Sequence, residues 1–223
     1  MDVGNYVFYS CIGKAYNGSA DVVLSKRKNC SELFATRTYF LDDDAIDTEE
    51  LKHELNVMRQ LSHNNILKVI ECFTIDSRLF VVTQLMNYGS VADMLRFRFT
   101  FGLPELMIAF ILHEVLKAIR YLHDREVVHR SIRCSHVLLS SDKSVKLSGL
   151  RWATSCLQHG RRVKPLYEFS PSFKPNLLWL APEKLTGYGY KSDIYSLGIC
   201  ACEMANGFAP FSDVDCLQVW LPV

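Results

Sequence analysis

The chain lacks a surplus of charge of either sign. Its 223 residues include 25 lysines and arginines against 24 aspartates and glutamates, so the formal net charge is +1. Proteins that bind nucleic acids or anionic membranes usually carry a clear basic surplus. The composition therefore favours neither nucleic acid nor a membrane surface as a partner.

Long hydrophobic runs are also lacking, although hydrophobic residues make up 49% of the chain. The longest candidate, from Leu197 to Ala205, is interrupted by Gly198 and Glu203. It falls short of the about 18 residues that a membrane helix requires. The N-terminal residues MDVGNYVFYS have neither the basic nor the apolar region of a signal peptide. We therefore expect a protein that does not span a membrane and is not secreted.

None of the eight cysteines lies in a C-x-x-C motif. That motif is typical of structural zinc sites and of thioredoxin-like redox sites. We therefore expect reduced thiols and a cytoplasmic or nuclear location. Cys200 and Cys202 lie two residues apart in a predicted helix, so they face different directions. For all eight cysteines the simplest expectation is a buried, structural side chain.

Short β-like runs and one helix alternate in the first part of the chain. The helix is predicted over 48–61, where apolar residues recur at helical spacing and where Asp47 or Thr48 can act as the N-cap. The predicted strands are 6–13, 20–26, 33–41, 66–75 and 78–85. Residues 87–90 then interrupt the pattern and are typical of a linker.

The second part of the chain is mainly helical by the same criteria. Helices are predicted over 104–123 and 191–205, and short strands over 137–139 and 145–147. The segment 152–180 contains several prolines and is typical of a long ordered or gated loop. These elements predict the α+β fold class.

Several short motifs follow one another along these elements. One is glycine-rich, and loops of this kind cradle phosphates, although a plain hairpin turn explains it equally well. In chain order the motifs are Gly13-x-Ala15-x-x-Gly18, Ala35-Thr36-Arg37, Glu54, His129-Arg130-Ser131, Ala181-Pro182-Glu183 and Asp193-Ile194-Tyr195-Ser196-Leu197-Gly198.

This order and spacing resemble a protein kinase over nearly the whole chain. More narrowly, several segments are similar to the sterile-20-related adaptor (STRAD) pseudokinases. These segments are Tyr88-Gly89-Ser90, His129-Arg130-Ser131-Ile132-Arg133-Cys134-Ser135-His136, Leu147-Ser148-Gly149-Leu150-Arg151, Lys191-Ser192-Asp193-Ile194-Tyr195-Ser196 and Ala201-Cys202-Glu203-Met204-Ala205-Asn206-Gly207.

The resemblance implies one bilobal kinase-like domain over residues 1–223. Its β-rich N-lobe, with a single αC helix, is expected at about 1–86, and its helical C-lobe at about 87–223. The C-lobe is expected to be truncated at its C-terminal end, which would leave Glu183 as a buried carboxylate without its usual arginine partner. The family resemblance also implies an allosteric activator. Its partners would be a Ser/Thr kinase of the liver tumour-suppressor type and a helical-repeat scaffold of the calcium-binding-protein-39 kind.

Four positions depart from the pattern of an active kinase. Ser131 stands where the catalytic-loop aspartate would orient the accepting hydroxyl, and a serine does not take up its proton at neutral pH. His136 and Gly149 stand where the asparagine and the D-F-G aspartate would hold Mg²⁺, which prefers oxygen ligands. Arg37 replaces the strand lysine. We therefore expect a pseudokinase with no catalytic residues and no metal ligands.

The resemblance still implies a nucleotide site, with ATP bound but not hydrolysed and without a metal ion. Arginine suits bidentate phosphate contacts, and the alternative is that the arginines are solvated or pair with Glu54. Lys14 could reach the phosphates, or could be an ordinary solvated lysine. The implied nucleotide-binding residues are Ile12, Gly13, Ala15, Gly18, Ala35, Arg37, Glu54, Thr83, Gln84, Leu85, Met86, Leu138, Arg133 and Arg151.

Two other functions stay open from the sequence. One is an atypical active Ser/Thr kinase, which metal-dependent phosphate transfer would reveal. The other is an interaction module that binds no nucleotide, and it would keep its partner when Ala35→Phe fills the adenine slot.

Overall fold

The chain divides into two compact units. The first unit comprises Met1–Ser62 and Leu67–Asn87, and the second comprises His63–Ile66 and Tyr88–Val223. The computed structural model describes residues 2–3, 5–158, 161–162, 177–183 and 189–213. In this part of the chain the first unit is a sheet with one α-helix, and the second unit is mainly helical. The predicted α+β fold class is thus confirmed.

A six-stranded antiparallel sheet builds the first unit. Its spatial order is β1-β2-β3-β4-β6-β5, so the last two strands form a hairpin whose second strand joins β4. The strands are β1 (Asp2–Val3), β2 (Tyr6–Ala15), β3 (Ala20–Arg27), β4 (Leu33–Phe40), β5 (Val69–Ile75) and β6 (Arg78–Gln84). Apolar side chains of three strands, Tyr6, Phe34 and Val82, meet in a buried cluster.

Helix α1 (Thr48–Gln60) is the helix predicted in the first unit. Asp47 caps it, because its carboxylate accepts hydrogen bonds from the backbone N–H groups of Glu49 and Glu50, both at 3.0 Å. Its buried face includes Leu51, Glu54, Leu55 and Met58. One carboxylate is therefore buried on an otherwise apolar helix face, and such a group requires a charged or hydrogen-bonding partner.

The described part of the second unit contains three α-helices and several short, paired strands. Helix α3 runs as predicted, and α4 begins and ends one residue outside its predicted bounds. The helices are α2 (Val91–Phe97), α3 (Glu105–His123) and α4 (Tyr190–Asn206). The strands are β7 (Gly89–Ser90), β8 (Val127–Val128), β9 (Val137–Leu139), β10 (Val145–Leu147), β11 (Thr154–Ser155), β12 (Leu157–Gln158) and β13 (Arg161–Arg162). They pair as β10-β9-β7, β11-β8 and β12-β13.

The prediction that 87–90 is only a linker was wrong in its second half. Gly89 and Ser90 pair with β9 as strand β7, and the Ser90 hydroxyl caps α2 by accepting from the backbone N–H of Asp93 at 3.1 Å. The Asp93 carboxylate accepts in return from the backbone N–H of Ser90 at 3.1 Å. This reciprocal capping box explains why the chain turns into a helix here.

The predicted strand 66–75 was three residues too long at its start. Residues 63–66 belong to the second unit, where Ile66 forms a parallel bridge with Leu147. Asn65 fixes this segment because its side-chain amide donates to Glu114 at 2.7 Å and to the Val145 carbonyl at 3.0 Å. Of the long segment 152–180, residues 159–160 and 163–176 lie outside the described part.

The expected burial of the cysteines was wrong for four of the seven described. Cys134, Cys156 and Cys200 are buried, whereas Cys11 and Cys202 are exposed and Cys30 and Cys72 are half-buried. All seven are free thiols. The different directions expected for Cys200 and Cys202 are confirmed. Among the described residues, no helix has the length and apolar character required to cross a membrane.

Candidate functional site

A buried carboxylate on α4 holds the loop that follows β8. Asp193 is fully buried, and its two oxygens accept the backbone N–H groups of His129 and Arg130, both at 2.9 Å. His123 on α3 lies 2.8 Å from the same carboxylate through Nε2. Asp193 therefore braces this loop.

The loop needs a brace because its backbone is strained at Arg130. This residue has φ of 68°, in the left-handed region that residues with a Cβ seldom occupy. Such a conformation costs about 1–3 kcal/mol and persists only when its surroundings impose it. The two hydrogen bonds to Asp193 supply that constraint.

The ring of His129 is oriented by one donor and one acceptor. Its Nδ1 accepts the backbone N–H of Ser131 at 3.2 Å, and its Nε2 lies 3.0 Å from the carbonyl oxygen of Ser148. Because a carbonyl oxygen only accepts, Nε2 carries the proton and the ring is neutral. His129 thus ties the loop to the end of β10.

The ring of His136 is held in the opposite tautomer. Its Nδ1 lies 2.6 Å from the carbonyl oxygen of Ser131, so Nδ1 carries the proton. Its Nε2 then presents the lone pair, and the Arg133 guanidinium donates toward it through Nε and Nη2, both at 3.4 Å. A cation already faces the single lone pair of this imidazole, which makes His136 unsuited to metal binding.

Ser131 and His136 do not form a nucleophile and base pair, although Oγ of Ser131 lies 3.1 Å from Nδ1 of His136. That nitrogen carries the proton donated to the Ser131 carbonyl, so it has no lone pair to accept a hydroxyl proton. The Ser131 side chain is also buried. The loop therefore provides the hydroxyl of Ser131 but no general base to accept its proton.

Gly149 follows β10 and faces the ring of His136. Its φ is +80°, which favours glycine. A Cβ built on Gly149 would lie 2.6 Å from Cγ and 2.7 Å from Cε1 of His136, well inside van der Waals contact. The ring thus leaves no room for a side chain at this position.

In the first unit, Arg37 on β4 and Glu54 on α1 form a buried ion pair. Nη1 of Arg37 lies 3.0 Å from Oε1 of Glu54, and the side chains are 14% and 3% exposed. Nη2 of Arg37 also lies 3.4 Å from the Met58 sulfur, and the guanidinium lies 5.8 Å from the Tyr39 ring centroid. Burial acts to lower the pKa of Arg37, but Tyr39 and Glu54 outweigh it and raise the pKa above its ordinary value.

This pairing matches one of the alternatives for the arginines, since Arg37 does pair with Glu54. It also answers the question of what stabilises the buried carboxylate of α1. Because both partners are largely desolvated, the pair holds α1 in one position against the sheet.

The glycine-rich segment forms the turn between β2 and β3. Only Gly18 has a backbone that favours glycine, with φ of +101°, whereas Gly13 has neither such an angle nor a neighbour that a Cβ would meet. Tyr16 within the turn donates its hydroxyl to the Asp47 carbonyl at 3.0 Å. Lys14 is exposed and pairs with Asp21 at 2.5 Å. A surface ion pair thus occupies the lysine that was a candidate phosphate ligand.

The predicted nucleotide residues are distributed over both units. In the first unit the structure brings Ala35 and Thr83 together, because they are cross-strand partners and the Thr83 hydroxyl donates to the Ala35 carbonyl at 3.2 Å. In the second unit Arg151 places its guanidinium 5.2 Å from the Trp152 ring. The others are Ile12, Gly13 and Ala15 on β2, Gly18 in the turn, Arg37 on β4, Glu54 on α1, Gln84 on β6, Leu85 and Met86 after it, Arg133 before the turn Cys134–His136, and Leu138 on β9.

Sequence reasoning missed two tyrosines that support this part of the first unit. Tyr39 is buried two residues after Arg37, and its ring packs edge-on against Tyr16 at 5.6 Å. The alternation along β4 was a signal, because residues 37 and 39 share one face of a strand.

The expectation for Glu183 was wrong, since its side chain is exposed rather than buried and so bears no burial penalty.

Comparison with known proteins agrees with this geometry. The protein kinase domain family model matches residues 6–219. STE20-related kinase adapter protein alpha of Mus musculus is 41% identical over 98% of this chain, and that of Bos taurus is 42% identical over 98%. STE20-related kinase adapter protein beta of Mus musculus is 36% identical over 99%. The predicted resemblance is thereby confirmed, while the chain spans 52%, 60% and 54% of these relatives.

Proposed function

The chain belongs to the protein kinase domain family, and we propose that it is an inactive member that regulates a Ser/Thr protein kinase by binding to it. In this proposal the chain is a pseudokinase and an allosteric adaptor. It keeps the scaffold of the family and transmits a signal through its shape.

The observation that carries this proposal is the network of Ser131, Arg133, His136 and Gly149. Phosphoryl transfer by a kinase needs a group that orients the accepting hydroxyl, and carboxylate or amide oxygens that hold Mg²⁺. The sequence has no Asp or Glu within 129–136 or within 145–151. The imidazole of His136 faces a guanidinium and closes the position beside Gly149. Loss of the base alone would cost about 10²–10⁴-fold, and loss of the metal would add to it.

The retained parts support a function in binding. Asp193 still braces the loop, and Arg37 still pairs with Glu54 across β4 and α1. Burying charged side chains such as these costs free energy. This cost supports a function that depends on a defined shape. In this proposal the fold serves to present a defined conformation, which a partner recognises.

Activation would proceed by a population shift of the partner kinase. The adaptor binds the active conformation of its client more tightly than the inactive one. A hundredfold activation requires about 2.7 kcal/mol of differential binding. We propose that the client is of the liver tumour-suppressor Ser/Thr kinase type, and that a helical-repeat scaffold of the calcium-binding-protein-39 kind completes the complex. The name "kinase adapter" of the relatives supports a kinase partner.

We also propose that the chain binds ATP without hydrolysing it and without a metal ion. Ala35 and Thr83 keep the small and the hydroxyl-bearing side chain expected next to adenine. Three basic residues, Arg37, Arg133 and Arg151, stand in the motifs of the predicted site, which lacks the acidic metal ligands. Guanidinium groups then neutralise phosphate in place of Mg²⁺. The proposed location is the cytoplasm and the nucleus.

Reconstitution tests the adaptor function. The client kinase phosphorylates a peptide with and without the purified chain and the scaffold, and we expect a rise in its rate only when the chain is present. Unchanged client activity at saturating chain would overturn the proposal. The chain alone is incubated with radiolabelled ATP and Mg²⁺. Transfer that is lost in Arg37→Ala would identify an atypical active kinase, whereas transfer that persists in Arg37→Ala would point to a contaminating kinase.

Thermal unfolding tests the nucleotide proposal separately. We expect ATP to raise the melting temperature equally in EDTA and in Mg²⁺, since bound ligand stabilises the folded state. Ala35→Phe should abolish the shift, and Lys14→Ala should retain it because Lys14 pairs with Asp21 at the surface. No shift at millimolar ATP in either buffer would contradict nucleotide binding and leave the adaptor proposal standing.

A further inference from the structure

Three side chains with metal-ligating atoms meet inside the second unit. Cys134 begins the turn Cys134–His136, and Cys200 and Glu203 lie three residues apart on α4. Spacing of three residues places the two on one face of a helix. One ligand atom from each residue lies within 4.8 Å of the others. Within the described part of the chain, this is the cluster of His, Cys, Asp and Glu side chains that fits a metal ion.

The cluster is shielded from solvent. Cys134 and Cys200 are each 1% exposed, and Glu203 is 8% exposed. The Cys134 thiol donates a long hydrogen bond, 3.6 Å, to the backbone carbonyl of Cys200. Sulfur is thus available to a ligand here without competition from bulk water.

A hydrogen bond from a neighbouring side chain fixes the carboxylate of Glu203, as is usual for carboxylates that bind metals. The indole Nε1 of Trp179 donates to Oε2 of Glu203 at 2.9 Å. Carboxylate ligands are often fixed through one oxygen by such a neighbour, which leaves the other oxygen for the ion. Trp179 therefore acts as a positioning residue for Glu203.

The charge of the cluster permits a divalent cation. Binding of M²⁺ would release one proton from each of the two thiols, so two positive charges enter and two leave. The buried net charge is unchanged, which avoids the large cost of an uncompensated charge in the interior.

We propose that Cys134, Cys200 and Glu203 bind a divalent cation that prefers sulfur, with Zn²⁺ as the physiological candidate. Thiolate donors select zinc over magnesium or calcium, which prefer oxygen. Zn–S bonds of about 2.3 Å in a tetrahedron place two thiolates about 3.7 Å apart, so the cluster needs only a small contraction. Three protein ligands leave a fourth position for water. This site is independent of the proposed adaptor function and of the proposed nucleotide.

Co²⁺ is the probe that tests the site, since thiolate-to-cobalt charge transfer absorbs in the near ultraviolet. The reduced full chain is titrated with Co²⁺, and we expect one equivalent to give this band with tetrahedral d–d absorption. One equivalent of Zn²⁺ should remove both signals. Cys134→Ser and Cys200→Ser should each abolish the charge-transfer band or shift it to shorter wavelength. Trp179→Phe should keep the band and weaken the affinity about 10–100-fold, as loss of an outer hydrogen bond to a ligand does.

Two cysteines supply matched controls. Cys202→Ser removes an exposed thiol from the same helix, and Cys156→Ser removes a buried thiol elsewhere in the second unit. Both variants should bind Co²⁺ as the unmodified chain does. Circular dichroism shows which variants are folded, and the titration of the unmodified chain stands by itself if Cys134→Ser is not. Absence of the band in the folded unmodified chain, or a band that is unchanged in wavelength and intensity in both folded Cys134→Ser and folded Cys200→Ser, would overturn the site.

Discussion

The imidazole of His136 fills the space into which a side chain at Gly149 would extend. A Cβ at residue 149 would lie 2.6 Å from Cγ of the ring. In the sequence-based prediction these two residues are separate substitutions of metal-binding positions. In the fold they are one arrangement, because the ring is compatible only with glycine at its neighbour.

The first prediction is that substitutions at these two positions are coupled. Gly149→Ala should destabilise the fold by about 2–4 kcal/mol, since it adds a left-handed backbone cost to a clash. In the background of His136→Ala the same change should cost at least about 1 kcal/mol less, because only the backbone cost remains. Chemical denaturation of the four proteins measures this difference. A purely additive result would show that the ring moves away freely.

The same coupling governs attempts to restore a metal site. Gly149→Asp alone should be poorly folded and should not bind Mg²⁺. Gly149→Asp together with His136→Asn should recover stability, because asparagine is smaller and aspartate tolerates positive φ. Isothermal titration with Mg²⁺ compares both variants. Stronger Mg²⁺ binding by the single variant than by the double variant would contradict the steric argument.

A second prediction concerns the ion pair of Arg37 and Glu54. Glu54→Ala should lower the free energy of unfolding by about 3–5 kcal/mol, because it leaves a buried guanidinium without its counter-charge. The matched control is the pair of Arg27 and Glu71, which forms at a similar distance of 2.9 Å but with side chains 43% and 41% exposed. The ion-pair part of the loss in Glu71→Ala should be less than about 1 kcal/mol, since water screens the pair. Loss of the hydrogen bond from the Tyr6 hydroxyl to Glu71, at 2.7 Å, adds to it. Equal losses in the two variants would show that the burial of the first pair has no energetic effect.

A third prediction concerns Asp193. Asp193→Asn replaces one accepting oxygen with an N–H donor that faces the backbone donors of His129 and Arg130. We expect a loss of about 3 kcal/mol or more in the free energy of unfolding, because a buried charged hydrogen bond is broken and the strained loop loses its brace. Asp124→Asn changes an exposed carboxylate that lies 3.8 Å from Arg120 and should alter stability by less than about 0.5 kcal/mol. Near-equal losses of unfolding free energy in the two variants would show that Asp193 does not constrain this loop.

The sequence predicted most elements of the fold because their periodicity is strong. Helix α3 and strands β9 and β10 agree with the prediction at both ends, apart from Pro104 as the N-cap of α3. Residues 63–66 were misplaced because an apolar run does not show which unit buries it. Contacts with distant groups assign the segment to the second unit, among them the hydrogen bonds of the Asn65 amide to groups 49 and 80 residues away.

At the candidate site the sequence predicted substituted positions but not the mutual geometry of the residues there. The exclusion of side chains at Gly149 by His136 depends on a ring orientation set by the Ser131 carbonyl, and no motif encodes it. The cluster of Cys134, Cys200 and Glu203 joins residues up to 69 positions apart, and it becomes visible only when α4 packs beside the turn. Burial of Cys11 and Cys202 was predicted because most cysteines in folded proteins are buried, but both are exposed.

A last prediction concerns pH and His63, which lies in the second unit. Burial is the largest cause that lowers the pKa of His63 below its ordinary value. Nearby positive charges lower it further, those of Arg125, Lys117 and Lys146, while Glu114 acts in the opposite direction. The neutral ring also accepts the backbone N–H of Asn65 at 3.1 Å and stacks on Tyr121 at 4.7 Å. The fold therefore favours the neutral imidazole.

Because the folded pKa of His63 is below the unfolded value of about 6.5, the unfolded chain binds more protons between these two values. Stability from this group is fully present above about pH 6.5 and is lost as the pH falls toward the folded pKa. His63→Gln should flatten the dependence of unfolding free energy on pH in this window, even if it lowers stability at every pH by losing the stack. His53→Gln on the exposed face of α1 is the control and should leave the slope unchanged. Denaturation series at pH 5 to 8 compare the three proteins, and identical slopes would mean that His63 titrates alike in the folded and unfolded chain.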